Sequence, residues 1–354
     1  MATRFLVTGG AGFIGSNFVR YVLENCPDAS IINLDALTYS GNLENLAALE
    51  EDPRVASRYE FVKGDIADRD LLAPLLDRTD IVIHMAAESH VDRSILDSAP
   101  FVRTNVLGTQ ALLDAARHSH AGKGVARFVH VSTDEVYGSL PLDRPDLKFT
   151  EDTPIQPNSP YAASKAASDL LVRAAFHTFH MPVLTTRCSN NFGPYQFPEK
   201  VIPLFVTNLI EGRKVPLYGD GKNVRDWLHV LDHCEAILAV AEKGRVGEVY
   251  NIGGDNERSN LDLTHSILDI MGKGHDMIQP VEDRKGHDRR YAIDASKIER
   301  ELGWRPTRSA WPDALEQTVR WYMANAEWWR RVKSGAYREY YEKQYAGKER
   351  HAIA

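Results

Sequence analysis

Short apolar runs recur along the chain, each followed by glycine or polar residues and then by a stretch with helical spacing. The runs are Phe5 to Thr8, Ile31 to Leu34, Tyr59 to Lys63, Ile81 to Met85, Phe128 to Ser132 and Val183 to Arg187. Near-continuous apolar strands alternating with helices predict a parallel sheet covered on both faces, the doubly wound α/β class. Ligands of such sheets bind beyond the carboxyl ends of the strands. Polar residues collect at those ends: Asp65-Ile66 after the third run, Ala86-Ala87-Glu88-Ser89 after the fourth, Thr133-Asp134-Glu135 after the fifth and Asn190-Asn191 after the sixth. From about Asn191 the pattern loosens into loops such as Asn191-Phe192-Gly193-Pro194 and Leu217-Tyr218-Gly219-Asp220-Gly221, before Val249 to Ile252 reads as another sheet strand. That interruption predicts a smaller, discontinuous lobe. The tail from Trp328-Trp329 to Tyr345 mixes aromatic and charged residues, the composition of a helix docked on the body.

The first run leads into Gly9, Gly10, Gly12 and Gly15 and then into a helical pattern that starts with Phe13 and Ile14. Glycines at the end of a strand permit a tight turn, close approach of backbone to a pyrophosphate and close packing of helix on strand. The second run ends at Asp35, at the distance where a carboxylate accepts hydrogen bonds from an adenosine ribose diol. Asp35 would repel a 2′-phosphate and the following Ala36-Leu37-Thr38-Tyr39 offers no arginine, so NAD is expected rather than NADP. Residues 1–190, rejoined by 228–253, are then a Rossmann-type NAD-binding domain. Residues 191–227 and 254–354 are expected to form the substrate-binding lobe and C-terminal helices.

Two chemical pairs follow downstream. In Asn158-Ser159-Pro160-Tyr161-Ala162-Ala163-Ser164-Lys165, Ser159 suits a helix cap and Pro160 its first position, which places Tyr161 and Lys165 on one helix face. A cationic lysine favours the phenolate and would let Tyr161 take a hydroxyl proton well below the ordinary phenol value of about 10. Ser132-Thr133 stands ready to hold the same hydroxyl. Asp134 and Glu135 then supply two adjacent carboxyls whose pKa values can be driven apart, giving one acid and one base for an elimination. A simple dehydrogenase needs neither.

Composition narrows the classes. The chain has 354 residues, 43% of them hydrophobic, and a net charge of −7, with no basic stripe for nucleic acid. Cys26, Cys188 and Cys234 lack metal-ligand spacing, and no long apolar span suggests a membrane. A reducing cytoplasm is the expected setting.

With these segments in view, the chain resembles an extended short-chain dehydrogenase/reductase, specifically the dTDP-glucose 4,6-dehydratase family. The likeness spans nearly its whole length. It is carried by Thr8 to Gly15, Met85 to Ser94, Ser132 to Gly138, Tyr161 to Lys165, Asn190 to Gln196, Asn223 to Trp227 and Asp283 to Arg290. It implies that Tyr161, aided by Lys165 and Thr133, deprotonates the carbon 4 hydroxyl of glucose while NAD takes the carbon 4 hydride. Glu135 then removes the carbon 5 proton, Asp134 protonates the departing carbon 6 hydroxyl, and the hydride returns to carbon 6. For the cofactor it implies Gly9, Gly12, Phe13, Ile14, Gly15 and Asp35 on the nucleotide side. Asp65, Ile66, Ala86, Ala87, Ser89, Thr104 and Ser132 would complete that set with Tyr161 and Lys165. For the nucleotide sugar it implies Ser89, Thr133, Asn190, Lys200, Pro216 and Tyr218. Arg225, Asn260, Arg284 and His287 would join them, the cations facing the diphosphate. A homodimer is the family expectation, through helices around Thr104 to Ala116 and Tyr161 to Phe176. A 4-epimerase would not use Asp134-Glu135, a GDP-mannose dehydratase would usually favour NADP, and a non-catalytic NAD sensor would not need the catalytic set intact. Loss of either acid is expected to slow elimination on the order of 10²–10⁴-fold while oxidation at carbon 4 persists. Single-turnover product analysis of Asp134→Asn and Glu135→Gln checks this, and equal loss of both half-reactions would contradict it.

Overall fold

The computed structural model describes residues 3–50 and 52–334. Six strands occupy the six apolar runs: β1 (Arg4–Thr8), β2 (Ser30–Asp35), β3 (Tyr59–Lys63), β4 (Ile81–His84), β5 (Arg127–Thr133) and β6 (Val183–Cys188). The remaining strands are β7 (Asn190–Phe192), β8 (Val215–Tyr218), β9 (Val224–His229), β10 (Val249–Ile252), β11 (Glu257–Ser259) and β12 (Ile278–Val281). The main sheet has seven strands in the order β10-β6-β5-β4-β1-β2-β3, and every neighbouring pair is parallel. The order reverses between β1 and β4. That switch point is where an open parallel sheet leaves a crevice for a ligand.

Alternation along the strands divides the core between the two faces. Val7 and Val129 join Phe18, Leu184 and Ile237 on one side, while Leu6 and Phe128 join Val82, Leu112 and Val172 on the other. Each fully buried side chain of this size contributes about 1.5–3 kcal/mol, so both faces need their helices. The helix Phe13–Asn25 approaches β1 closely because Gly15 has no side chain: a Cβ there would meet the Gly9 carbonyl oxygen at 2.2 Å.

A second apolar cluster holds the smaller lobe around Phe192, Phe205, Trp227, Leu263, Leu315 and Trp329. Its strands form β11-β9-β7 and a β12-β8 pair, packed with the helices Val201–Ile210, Asn260–Ile270 and Asp313–Ala324. Two segments read from the sequence as loops are strand ends instead. Asn191-Phe192 belongs to β7 and Leu217-Tyr218 to β8. Strands of three or four residues carry too few alternations to stand out from Gly- and Pro-rich surroundings. The helix Ala326–Val332 docks on the body as expected. Trp329 is fully buried and donates to the Tyr322 carbonyl at 2.9 Å, and Trp328 donates to Asn45 at 3.0 Å. The rest of that tail, to Tyr345, lies outside the described residues.

Candidate active site

The carboxyl ends of β1, β2, β4, β5 and β6 open into one cleft. Its nucleotide side is built by the glycine turn. Gly9 has a φ of +74° and its carbonyl accepts from the Gly12 amide at 3.2 Å, which turns the chain into the helix. Gly12 caps that helix without a side chain, so the amides of Phe13 and Ile14 start the helix at the cleft. A Cβ on Gly12 would meet only the Gly9 oxygen, at 3.3 Å. Of the two glycines, a side chain would strike backbone at Gly15, whereas at Gly12 the constraint is open approach for a ligand. Asp35 accepts from the Ala11 amide at 2.9 Å and the Leu37 amide at 2.8 Å. It closes the loop, and its remaining lone pairs are left for a ribose diol. Asp65, Ile66, Ala86, Ala87, Ser89 and Thr104 line the same cleft. The turn, the open helix start and the carboxylate together fit a dinucleotide.

The chemical side lies beyond β5 and β6. Ser159 caps the helix Pro160–Phe179 by accepting from the Ala162 amide at 3.1 Å, with Pro160 at its first position. Tyr161 and Lys165 enter the cleft from that helix, alongside Ser132, Thr133, Asp134 and Glu135 from the end of β5. Thr133 lies beside the Tyr161 phenol and donates to Asp134 at 3.3 Å. The Lys165 ammonium donates to the Val131 carbonyl at 2.8 Å.

Burial first, then the neighbouring Glu135 and Asp226, push the Asp134 carboxyl well above its ordinary range. Burial also raises Glu135, but Arg284, Lys200 and Arg225 pull it back. The two are thus driven apart, Asp134 being the more readily protonated and Glu135 the more readily ionised. Tyr161 departs from expectation. Burial and then Glu135 hold its phenol well above 10, and burial lowers Lys165 to about 8. The lysine is committed to a backbone carbonyl and does not by itself favour the phenolate.

The sugar-side residues fall into two groups. Asn190 and Lys200 line the cleft, and the Lys200 ammonium donates to the Ser89 carbonyl at 3.0 Å. Arg225, Arg284, Tyr218 and His287 are not among its lining residues, though Arg284 and Arg225 act on Glu135. Arg225 stacks 4.2 Å over the Tyr291 ring, and Arg284 lies 3.7 Å from Asp92, which also accepts from the Tyr218 hydroxyl at 3.2 Å. His287 pairs with Asp283 at 2.6 Å, yet burial and then Arg284 and Arg225 lower it to about 3 and keep it neutral. Pro216 is buried within β8, and Asn260 opens the helix Asn260–Ile270, where its amide donates to the Asn223 carbonyl. Neither lines the cleft. Sequence reasoning missed a cluster in the cleft wall, held by Arg93. Arg93 stacks 4.1 Å over Tyr39 and bonds Glu199 at 2.9 Å, while Tyr39 meets Phe197 edge-on at 5.6 Å. Its one visible sign was the ion-rich Glu199-Lys200 beside an aromatic.

A glycine-turn parallel sheet whose cleft holds both a tyrosine–lysine pair and two carboxyls is the architecture of NAD-linked nucleotide-sugar enzymes. The family model for GDP-mannose 4,6 dehydratase matches residues 6–312. A dTDP-glucose 4,6-dehydratase of Streptomyces niveus is 53% identical over 94% of this chain and 96% of its own. The Salmonella typhimurium enzyme of the same name is 47% identical over 98% and 100%. The crystal structure of a dTDP-glucose 4,6-dehydratase from Streptomyces venezuelae, with NAD bound, superposes with a TM-score of 0.88 at 53% identity, covering 94% of this chain and 100% of that one. The chain belongs to the dTDP-glucose 4,6-dehydratase family.

A reaction in which Glu135 takes a proton requires its carboxylate, which exists above its pKa and disappears below it. Burial places that pKa above the ordinary 4.5, so kcat is expected to fall with decreasing pH through a limb above 4.5. Arg284→Met removes the largest lowering influence and should move that limb to higher pH. A pH–rate profile at saturating substrate checks both, and a limb at or below 4.5 would contradict the burial argument.

Proposed function

We propose that this protein dehydrates dTDP-glucose to dTDP-4-keto-6-deoxyglucose with NAD as a retained cofactor. The observation that carries the reading is the placement of Asp134 and Glu135, their carboxyls raised unequally, in the same cleft as Tyr161. A nucleotide-sugar 4-epimerase fold of this kind, a Bacillus cereus UDP-glucuronic acid 4-epimerase, superposes at a TM-score of 0.81 with 29% identity over 91% of this chain and 99% of its own. The acids separate the two chemistries, because epimerisation involves no leaving hydroxyl.

The glycine turn, the helix start at Phe13 and Ile14, and Asp35 would hold the NAD. When bound, NAD supplies the acceptor for the carbon 4 hydride, the donor of that hydride to carbon 6 and, while oxidised, a positive charge. Tyr161, as the phenolate that the positive charge of the oxidised cofactor would favour against burial, receives the carbon 4 hydroxyl proton, with Thr133 orienting it. The resulting ketone acidifies carbon 5. Glu135 takes the carbon 5 proton as Asp134 gives its proton to the carbon 6 hydroxyl, which leaves as water. With the hydride returned to carbon 6, Glu135 gives its proton back to carbon 5, which restores the saturated sugar. Lys200, Arg225 and Arg284 balance the diphosphate charge. Three unpaired cysteines suit a cytoplasmic location.

Purified protein without added cofactor, incubated with dTDP-glucose, UDP-glucose and GDP-mannose, should release one water from dTDP-glucose alone, read by product mass. An unchanged mass with altered sugar stereochemistry would establish an epimerase instead, and no turnover of any sugar would favour a sensor.

The protein is also proposed to act as a homodimer. Leu107 is 61% exposed and Leu170 54%, and Val102 and Phe179 are similarly bare on the same two packed segments, Val102–Gly108 and Pro160–Phe179. A second copy would cover this apolar face. Leu107→Glu is expected to convert the dimer to monomer in sedimentation equilibrium, and a wild-type monomer at micromolar concentration would refute the assembly.

A further inference from the structure

Asp134 and Glu135 stand at the start of a tight turn, Asp134–Tyr137, whereas Tyr161 and Lys165 stand on the helix Pro160–Phe179. The two pairs belong to separate elements, yet they must act on adjacent carbons of one sugar. Proton transfer needs heavy atoms within about 3 Å, and displacement by about 1 Å can cost on the order of 10²-fold. A buried polar bridge joins the middle of this helix to the last residue of that turn. Asp169, one turn beyond Lys165, accepts from the Arg187 Nε at 2.8 Å and lies 3.2 Å from His130. Arg187 on β6 donates to the Tyr137 hydroxyl at 3.0 Å and stacks 4.8 Å over its ring. That hydroxyl donates in turn to Asn251 on β10 at 2.7 Å, and the ring stacks on Phe149 at 5.0 Å.

Asp169, Arg187 and Tyr137 are 3%, 6% and 3% exposed, and none of them lines the cleft. An ion pair this deep costs desolvation that apolar residues of similar volume would avoid, so stability alone does not account for it. What it provides is a fixed distance: helix to β6, β6 to the last residue of the turn, two residues beyond Glu135. We infer that the Asp169–Arg187–Tyr137 bridge positions the elimination pair Asp134–Glu135 against the oxidation pair Tyr161–Lys165, and so governs whether a 4-keto sugar, once formed, proceeds to lose water. The inference rests on the dehydratase reading above. The three are positioning residues, since none reaches the reacting atoms.

Tyr137→Phe keeps the ring and its stack on Phe149 and removes only the hydroxyl. With dTDP-glucose under single turnover, quenched samples are analysed by mass for the 4-keto sugar that still bears its carbon 6 hydroxyl and for the dehydrated product. The variant is expected to lower kcat about tenfold at unchanged KM. The undehydrated keto sugar should rise by a similar factor, with NAD extracted per protein and the thermal midpoint close to wild type. Arg187→Lys, which keeps a cation and one donor, should recover part of the loss seen in Arg187→Met. Parallel slowing of oxidation and elimination, or a wild-type ratio of the two sugars, overturns the bridge. A wild-type protein that leaves dTDP-glucose unchanged overturns the dehydratase reading itself and the bridge with it.

Discussion

Two adjacent carboxyl groups at the end of a central strand, Asp134 buried and Glu135 half-buried, are the constraint around which the site is built. Neither Asp134 nor Glu135 could stand there as an uncompensated charge, because desolvation favours the neutral form of both and neighbouring carboxylates add to it, Glu135 and Asp226 at Asp134 and Asp288 at Glu135. The protein resolves this asymmetrically. Arg284, Lys200 and Arg225 act on Glu135, and of these Arg225 appears among the influences lowering Asp134. Those cations come from three different stretches of the smaller lobe, so the acid–base difference exists only once the lobe has folded onto the sheet.

The sheet was legible in the sequence because its strands are near-continuous apolar runs, which is the signature of burial on both faces. Residues whose role depends on a strand end, such as Asp35, Asp65 and Thr133, could be placed from that pattern alone. The lobe was not. β7, β8, β9, β11 and β12 are three to six residues long, and their pairing joins segments far apart in the chain. No local periodicity reveals that β8 pairs with β12 or that Tyr218 reaches Asp92.

The same limit applies within the site. Spacing put Tyr161 and Lys165 on one face, correctly, but not the partner of the ammonium, which is a backbone carbonyl of β5. Whether a lysine activates a phenol depends on what else it bonds, and that is a tertiary fact. The sugar side shows the contrast again. Lys200 carried no more signal than a surface lysine until the helix Val201–Ile210 fixed it beside Ser89, and Pro216 and Asn260, drawn from resemblance, are not among the lining residues.

The glycine turn carries a further meaning for how such a protein can change over time. At position 15 any side chain would strike backbone, whatever the ligand, whereas at position 12 the protein by itself leaves room for a methyl group with only slight crowding. The first site answers to the fold and the second to the molecule the fold receives. One short motif therefore keeps two separate records: descent within the architecture at Gly15, and continued service to a phosphate-bearing guest at Gly12.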